Sequence, residues 1–259
     1  MASFFNAGRN TPGFQGRGRP LFAGVLLVSA LAISPVPAGA WFSEPHKAIT
    51  RNALSVLPEA LRETLAPHND ILVYGSVQPD LQRLHDHKAY LSGLNGSPPG
   101  PGSAHYAMER FAKKAEGMIK KRIEMDKIAY VLGQAAHFIQ DVNEPLHTVS
   151  GETKEQHYAY ERVAYYWEWP GSSYGYRGFY LVKNYKCFAV EAAKRSHIGV
   201  RQALQDPPDR EVIERTWDDA VNDTANLWQS IFYRALGPTK AKEMYGIQPP
   251  AGEKGKLCR

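Results

Sequence analysis

Three histidines fall within one segment, HFIQDVNEPLHTVSGETKEQHYAYE, together with well-spaced carboxylates. His137 and Asp141 are four residues apart, and so are His157 and Glu161. On a helix that spacing stacks both side chains on one face, where an imidazole nitrogen and a carboxylate oxygen grip one cation. His147 follows Pro145, which should end the first helix and let the chain turn His147 back towards the same centre. Imidazole and carboxylate without thiolate suit catalytic zinc better than structural zinc. A single His/Asp pair at this spacing is most often a surface or capping interaction. Two such pairs with a histidine between them shift the balance towards metal, and two further histidines then become relevant, His46 and His105.

Such donors need rigid elements to hold them. Ser43 is a candidate cap for a short helix from about Glu44 to Leu57, with Pro45 in the first turn, where a missing N–H does no harm. His46, Ile49, Ala53 and Leu57 share one face of it, so a histidine lies on the apolar side. The run SGLNGSPPGPGS, from Ser92 to Ser103, breaks regular structure and predicts an exposed loop, with His105 just beyond it. From about Tyr106 to Gln140 there is no proline, and the composition predicts one long helix or two abutting ones with a lysine-rich solvated face. A further helix is expected over Glu211–Leu236, where Ile213, Trp217, Ala220, Thr224, Leu227, Trp228 and Ile231 form an apolar stripe. Between Tyr158 and Tyr185 lie eight tyrosines, two tryptophans and one phenylalanine, interrupted by WPGSSYGYRG. The fold class expected is all-α, in a single domain.

The chain has 259 residues, 43% hydrophobic and 22% charged, which excludes disordered, collagen-like and disulfide-scaffold classes. Its net charge of +5 would favour an acidic partner, but three of the bases, Arg9, Arg17 and Arg19, sit in an acid-free N-terminal segment. That segment continues into an apolar run from Leu21 to Ile33, too short to cross a bilayer, then Pro35, Pro37 and Ala38-Gly39-Ala40. The pattern predicts a secretory signal over residues 1–40, cleaved between Ala40 and Trp41, and a secreted or periplasmic domain over residues 41–259. Without the signal the chain is nearly neutral, and bulk charge no longer argues for nucleic acid. In an export pathway the only cysteines, Cys187 and Cys258, favour one disulfide over two free thiols.

HFIQDVNEPLH, HYAYE, the Asp80 of QPD and a tryptophan directly after a signal cleavage site resemble the zinc-dependent phospholipases C of bacteria and their relatives, the zinc-dependent single-strand nucleases. The matching motifs run from Trp41 to Glu161. The resemblance implies a helical bundle around three zinc ions. It places His105, His137 and Asp141 on one zinc, with Asp80 as a further ligand or the general base, and His147, His157 and Glu161 on a second. The third would be held by the α-amino nitrogen and carbonyl of Trp41, by His46, and by Asp141 as a bridge. An amine and its own carbonyl close a five-membered chelate only when the amine is free, so signal cleavage would build this site. His68, His85, His87 and His197 have no counterpart. His85 and His87, in HDH, would suit a metal pair by composition but are read as surface-loop residues.

Clustered divalent ions activate water and clamp the oxygens of an in-line displacement, which suits a phosphodiester. The expected reaction is hydrolysis by a zinc-activated water oriented by Asp80 or Asp141. Phospholipid is favoured as substrate, at a membrane surface, because the last ligand is Glu161, the DVN before EPLH looks like the phospholipase version, and Glu44 stands where a phospholipase glutamate helps bind choline. Single-stranded nucleic acid is the alternative: the five-residue spacing from Trp41 to His46 resembles the nucleases, and Leu81 follows Asp80 where choline-selective phospholipases have an aromatic. A zinc- or membrane-binding protein without turnover is a third reading. No obligate protein partner is evident.

Overall fold

The computed structural model describes residues 43–82, 87–94, 102–166 and 175–255. The expected signal segment, Trp41, His85 and Cys258 lie outside the described residues. Helix α1 (Ser43–Ser55) buries Pro45, His46, Ile49, Thr50, Ala53 and Leu54, close to the face expected of it. It is followed by α2 (Glu59–Leu65), a 3-10 turn over Ala66–His68, and α3 (Asn69–Gln82). The proline-free stretch forms two helices, α4 (Ala104–Lys120) and α5 (Met125–Val142). The chain breaks between them at Arg122, whose φ of 54° is left-handed and incompatible with continuing the helix.

Helix α4 buries Ala107, Met108, Phe111, Ala115 and Ile119, a 3–4 stripe that leaves its lysines in water. Helix α5 is buried from Val131 to Val142 without interruption. A helix apolar or site-forming all round has to be central, and α1, α3, α4, α7 (Tyr185–His197) and α9 (Arg210–Leu236) all pack on it. The longest helix, α9, starts at Asp209, whose carboxylate accepts from the Glu211 amide, and ends at Gly237 with φ 80°. Its Trp228 indole donates to the Leu132 carbonyl at 3.1 Å, tying α9 to the centre. Asn222, Asn226 and Ser230, four residues apart on α9, accept the backbone amides of Arg177, Tyr180 and Val182 and so hold that extended segment on the helix.

Helices α6 (Lys154–Tyr165), α8 (Val200–Ala203) and α10 (Pro238–Tyr245) complete the set, with two small parallel pairs, β1 (Ser92–Gly93) with β2 (Val149–Ser150) and β3 (Tyr180–Val182) with β4 (Gly252–Lys254). The fold is therefore all-α, as expected, and nearly all of its buried apolar residues form one contiguous core. Cys187 on α7 is disulfide-bonded. No described helix is long and apolar enough to cross a membrane.

The approach of α3 to α5 positions the site. A Cβ on Gly133 would lie 2.2 Å from the Leu72 carbonyl oxygen, and one on Gly75 would lie 2.4 Å from the Tyr130 carbonyl oxygen. Both atoms belong to backbone, which cannot swing aside. Gly133→Ala should therefore push the helices apart and destabilise the protein by about 1–3 kcal/mol, with weaker metal retention in the molecules that still fold. Unchanged urea stability in that variant would show that the contact is not tight.

Candidate metal centre

Each donor is placed by its element. His46 lies in the first turn of α1 and Asp80 near the end of α3. His137 and Asp141 occupy the last turns of α5, where their four-residue spacing puts both on one face. Asn143 and Glu144 end that helix, and Pro145 starts a 3-10 turn over Pro145–Thr148 that carries His147 inward. Thr153 caps α6 with a full capping box through Gln156, and α6 presents His157 and Glu161 from one buried face. His87 sits in an extended segment held on the His147 turn, the Ala89 amide donating to the His147 carbonyl at 2.8 Å and the Leu91 amide to the Thr148 carbonyl at 2.7 Å.

Three groups of donors result, each with its ligand atoms within 4.8 Å of one another: His46, His137 and Asp141; Asp80, His87 and His137; and Glu144, His147, His157 and Glu161. Asp141 lies between them. Its Oδ1 is 3.2 Å from His46 Nε2 and 3.9 Å from His147 Nδ1, while its Oδ2 is 3.1 Å from both His87 Nδ1 and His137 Nε2. Asp80 faces His87 Nδ1 and His137 Nε2 at 3.7 Å and His46 Nε2 at 3.9 Å.

Outer hydrogen bonds aim the rings. His137 Nδ1 donates to the Ser76 carbonyl at 2.8 Å, and His46 Nδ1 donates to Gln140 Oε1 at 2.6 Å. Both bonds leave Nε2 as the nitrogen turned towards the other donors, that of His137 lying 2.7 Å from His87 Nδ1. Gln140 is itself fixed by donating to Thr50 Oγ1 at 3.1 Å. His157 Nδ1 is 3.6 Å from Glu152, which is paired with Lys88.

The donor chemistry fits cations. Buried atoms of His46 (Nε2), Asp80 (Oδ1), Asp141 (Oδ1), His147 (Nδ1), Glu144 and Glu161 (both oxygens each) have no hydrogen-bond partner among the described residues. Buried polar atoms normally find one, so a cluster of orphans facing one another marks a place for something else. Protons do part of that work when metal is absent. Burial opposes charge on His46 and His157, yet Asp141 raises the first to about 9, and Glu144, Glu152 and Glu161 raise the second to about 10. Burial, with the charges of Glu161 and Asp141, lifts Glu144 to about 8. Asp141 goes the other way: despite its burial, His137, His46 and His87 hold it well below the usual carboxylate range.

The residues expected from sequence divide as follows. His46, Asp80, His137, Asp141, His147, His157 and Glu161 converge. His105 does not join them: it is in the first turn of α4 with its ring 4.2 Å from that of Tyr106. The imidazole beside Asp80 and His137 is instead His87, read from sequence as a loop residue. The extended chain after it is zipped to the His147 turn, a tertiary contact that no local pattern announces. Glu144 is the second donor that sequence reasoning missed. Its signal was present, three residues before His147, but Pro145 between them hid the helical relation. Glu44 is exposed and paired with Lys47 at 2.6 Å.

The fold and these groups define an all-helical protein with His/Asp/Glu clusters consistent with a trinuclear zinc centre. Residues 45–206 match the family model described as zinc dependent phospholipase C, and the chain belongs to that family. No curated relative matches its sequence. Among solved structures, the alpha toxin of Clostridium absonum is similar with a TM-score of 0.53 and 18% identity, over 74% of this chain and 64% of the toxin. The alpha-toxin of Clostridium perfringens from avian strain SWCP is similar with a TM-score of 0.53 and 17% identity, over 80% of this chain and 65% of the toxin. The chain thus spans a little under two thirds of either toxin, and at this identity the likeness is one of fold.

Proposed function

We propose that the protein is a secreted zinc-dependent phospholipase C that hydrolyses the glycerol–phosphate bond of phospholipids. The observation that carries this is the adjacency of three donor groups, two sharing His137 and the third lying beside Asp141 through His147, in a member of the zinc dependent phospholipase C family. When bound, clustered zinc ions supply a water with its pKa lowered to about 7 and positive charge for the oxygens of an in-line displacement. Asp80, Asp141, Glu144 and Glu161 would bring four negative charges to three divalent ions, a surplus of two positive charges. An anionic phosphodiester and a deprotonated water balance it.

Asp80 is the carboxylate of the centre that reaches solvent, with 18% of its side chain exposed. On this reading it would orient the attacking water and take its proton as oxygen bonds to phosphorus and the P–O bond to glycerol breaks, the leaving oxygen taking a proton from solvent water. Asp80→Asn should retain fold and most metal while lowering turnover about 10²–10⁴-fold, as loss of a general base does. Full activity would remove Asp80 from the chemistry, and loss of one zinc would make it a ligand. A choline-binding role for Glu44 requires it to exchange Lys47 for the head group.

The third ion, on this reading, needs the free amine of Trp41 beside His46 and Asp141. The test is a parallel assay of zinc-loaded protein beginning at Trp41 on phosphatidylcholine vesicles and on single-stranded DNA, with and without chelator. A second sample with one extra residue before Trp41 should hold one zinc fewer and lose most activity, because an amide nitrogen is a poor ligand at neutral pH. Preferred cleavage of DNA would move the reading to a nuclease. No turnover with three zincs bound would leave a binding protein.

A further inference from the structure

The three donor groups are not equivalent. Asp80 and His87 keep 18% and 15% of their side chains exposed, so their group opens to solvent. The group of Glu144, His147, His157 and Glu161 is closed off, with Glu144 and Glu161 fully buried and His147 and His157 almost so. Glu144 Oε2 is 3.2 Å from His147 Nε2, and Glu144 Oε1 is 3.7 Å from His157 Nε2. The two Nε2 atoms are 3.3 Å apart, and Glu161 Oε1 is 3.3 Å from that of His157. Both oxygens of both glutamates lack a hydrogen-bond partner among the described residues.

Glu144 is also held from behind. Its amide donates to the Asp141 carbonyl at 2.9 Å, and its carbonyl accepts from the His147 amide at 3.1 Å. The preceding Asn143 donates to the Ile139 carbonyl at 2.9 Å and to Asp223 at 3.2 Å, and accepts from Arg195 at 3.1 Å. A carboxylate on backbone fixed this firmly, with one oxygen by each of two imidazoles and no other partner among the described residues, has a ligand's placement.

Zinc in proteins is usually four-coordinate. Four protein donors make a closed structural site, whereas three leave a position for water or substrate. We infer that Glu144 is a fourth protein donor that closes the inner group, so that its ion serves structure and the reaction belongs to the outer two groups. Charge supports the division. Two carboxylates and two neutral imidazoles exactly offset one divalent ion, which suits a site removed from water. The surplus of two positive charges would then fall wholly on the outer groups, where among the described carboxylates Asp80 and Asp141 would share two ions, and where solvent and an anionic substrate would enter. This inference rests on the zinc-binding reading above.

Cobalt(II) titration of the apo-protein beginning at Trp41, with metal analysis and chelator competition, tests it. The wild-type protein should keep one ion after the other two have been stripped, and the visible spectrum of that one-cobalt form should not change on adding inorganic phosphate. Glu144→Gln and Glu144→Ala should weaken retention of that ion by at least about 10–100-fold, taking outer-shell losses as the lower bound, with helical circular dichroism maintained. In whichever variant still holds it, phosphate should now shift the cobalt bands. A phosphate-sensitive spectrum in the wild-type one-cobalt form would overturn the inference without any variant, and so would wild-type ion retention in Glu144→Gln. Failure of the wild-type protein to bind any ion would instead defeat the zinc-binding reading itself.

Discussion

Removing zinc should lower the melting temperature on the order of 10 °C per ion at neutral pH, and the loss should grow as pH rises from 6 to 9. The size follows from linkage: an ion at a thousand times its Kd stabilises by about 4 kcal/mol, and 1 kcal/mol moves a domain of this size by about 2–4 °C. The pH dependence follows from the protons that occupy the metal-free centre. His46 is raised to about 9 and His157 to about 10 from 6.5, and Glu144 to about 8 from 4.5. Groups with raised folded pKa values contribute stability that is complete below their unfolded values and is lost as pH climbs through the folded ones. Asp141 is lowered, so its contribution is present above its usual range and is lost only in acid. The chelated protein should therefore weaken from about pH 4.5, where Glu144 begins to contribute, through the rise of the two histidines to about pH 10, while zinc, which binds the deprotonated ligands, gains affinity over the same interval. Thermal melts of loaded and chelated samples at several pH values decide this. A separation that shrinks with rising pH would contradict the assignment of these groups to metal.

Asp141→Asn should be the most damaging single substitution in the centre. It removes a carboxylate lying within 3.2 Å of His46 and within 3.1 Å of His87 and His137. Breaking a buried charged cluster by removing one partner costs about 3–5 kcal/mol. Hydrolysis should fall by about 10³-fold or more, because charge stabilisation of that order is lost with the ions. Metal analysis should show depletion of the two ions that depend on Asp141, with the ion of Glu144, His147, His157 and Glu161 retained. Three zincs in the purified variant would show that Asp141 is not the junction of the centre.

The sequence was legible where chemistry is local. His137 with Asp141 and His157 with Glu161 could be read because one helical turn brings each pair together, and α1 and α9 because each carries an apolar stripe; α4 and α5 were legible as a proline-free, helix-forming stretch with a lysine-rich face. Helix α3 was not foreseen: it is buried on several sides, has no clean stripe, and carries Gly75 and Pro79 within its length. His87 and His105 show the limit from the other side. Each is a histidine next to irregular chain, and only the pairing of 89–93 with 147–150 decides which of them faces Asp80. That pairing is non-local, so a residue-by-residue reading has no access to it.

The spacing of the donors along the chain also bears on how the protein comes together. His137 and Asp141, and likewise His157 and Glu161, need only one turn of helix to offer two ligand atoms, so a largely unfolded chain can already hold an ion. His87 reaches Asp141 across 54 residues, and His46 reaches Gln140 across 94. Closing loops of that length costs more entropy and is slower to find. In the presence of cation, assembly should start at α5 and α6 and finish with the docking of α1 and the extended segment of His87. Withdrawal of metal should then free α1 first, with its amides exchanging hydrogen well before those of α5; simultaneous exchange of both helices would contradict that order.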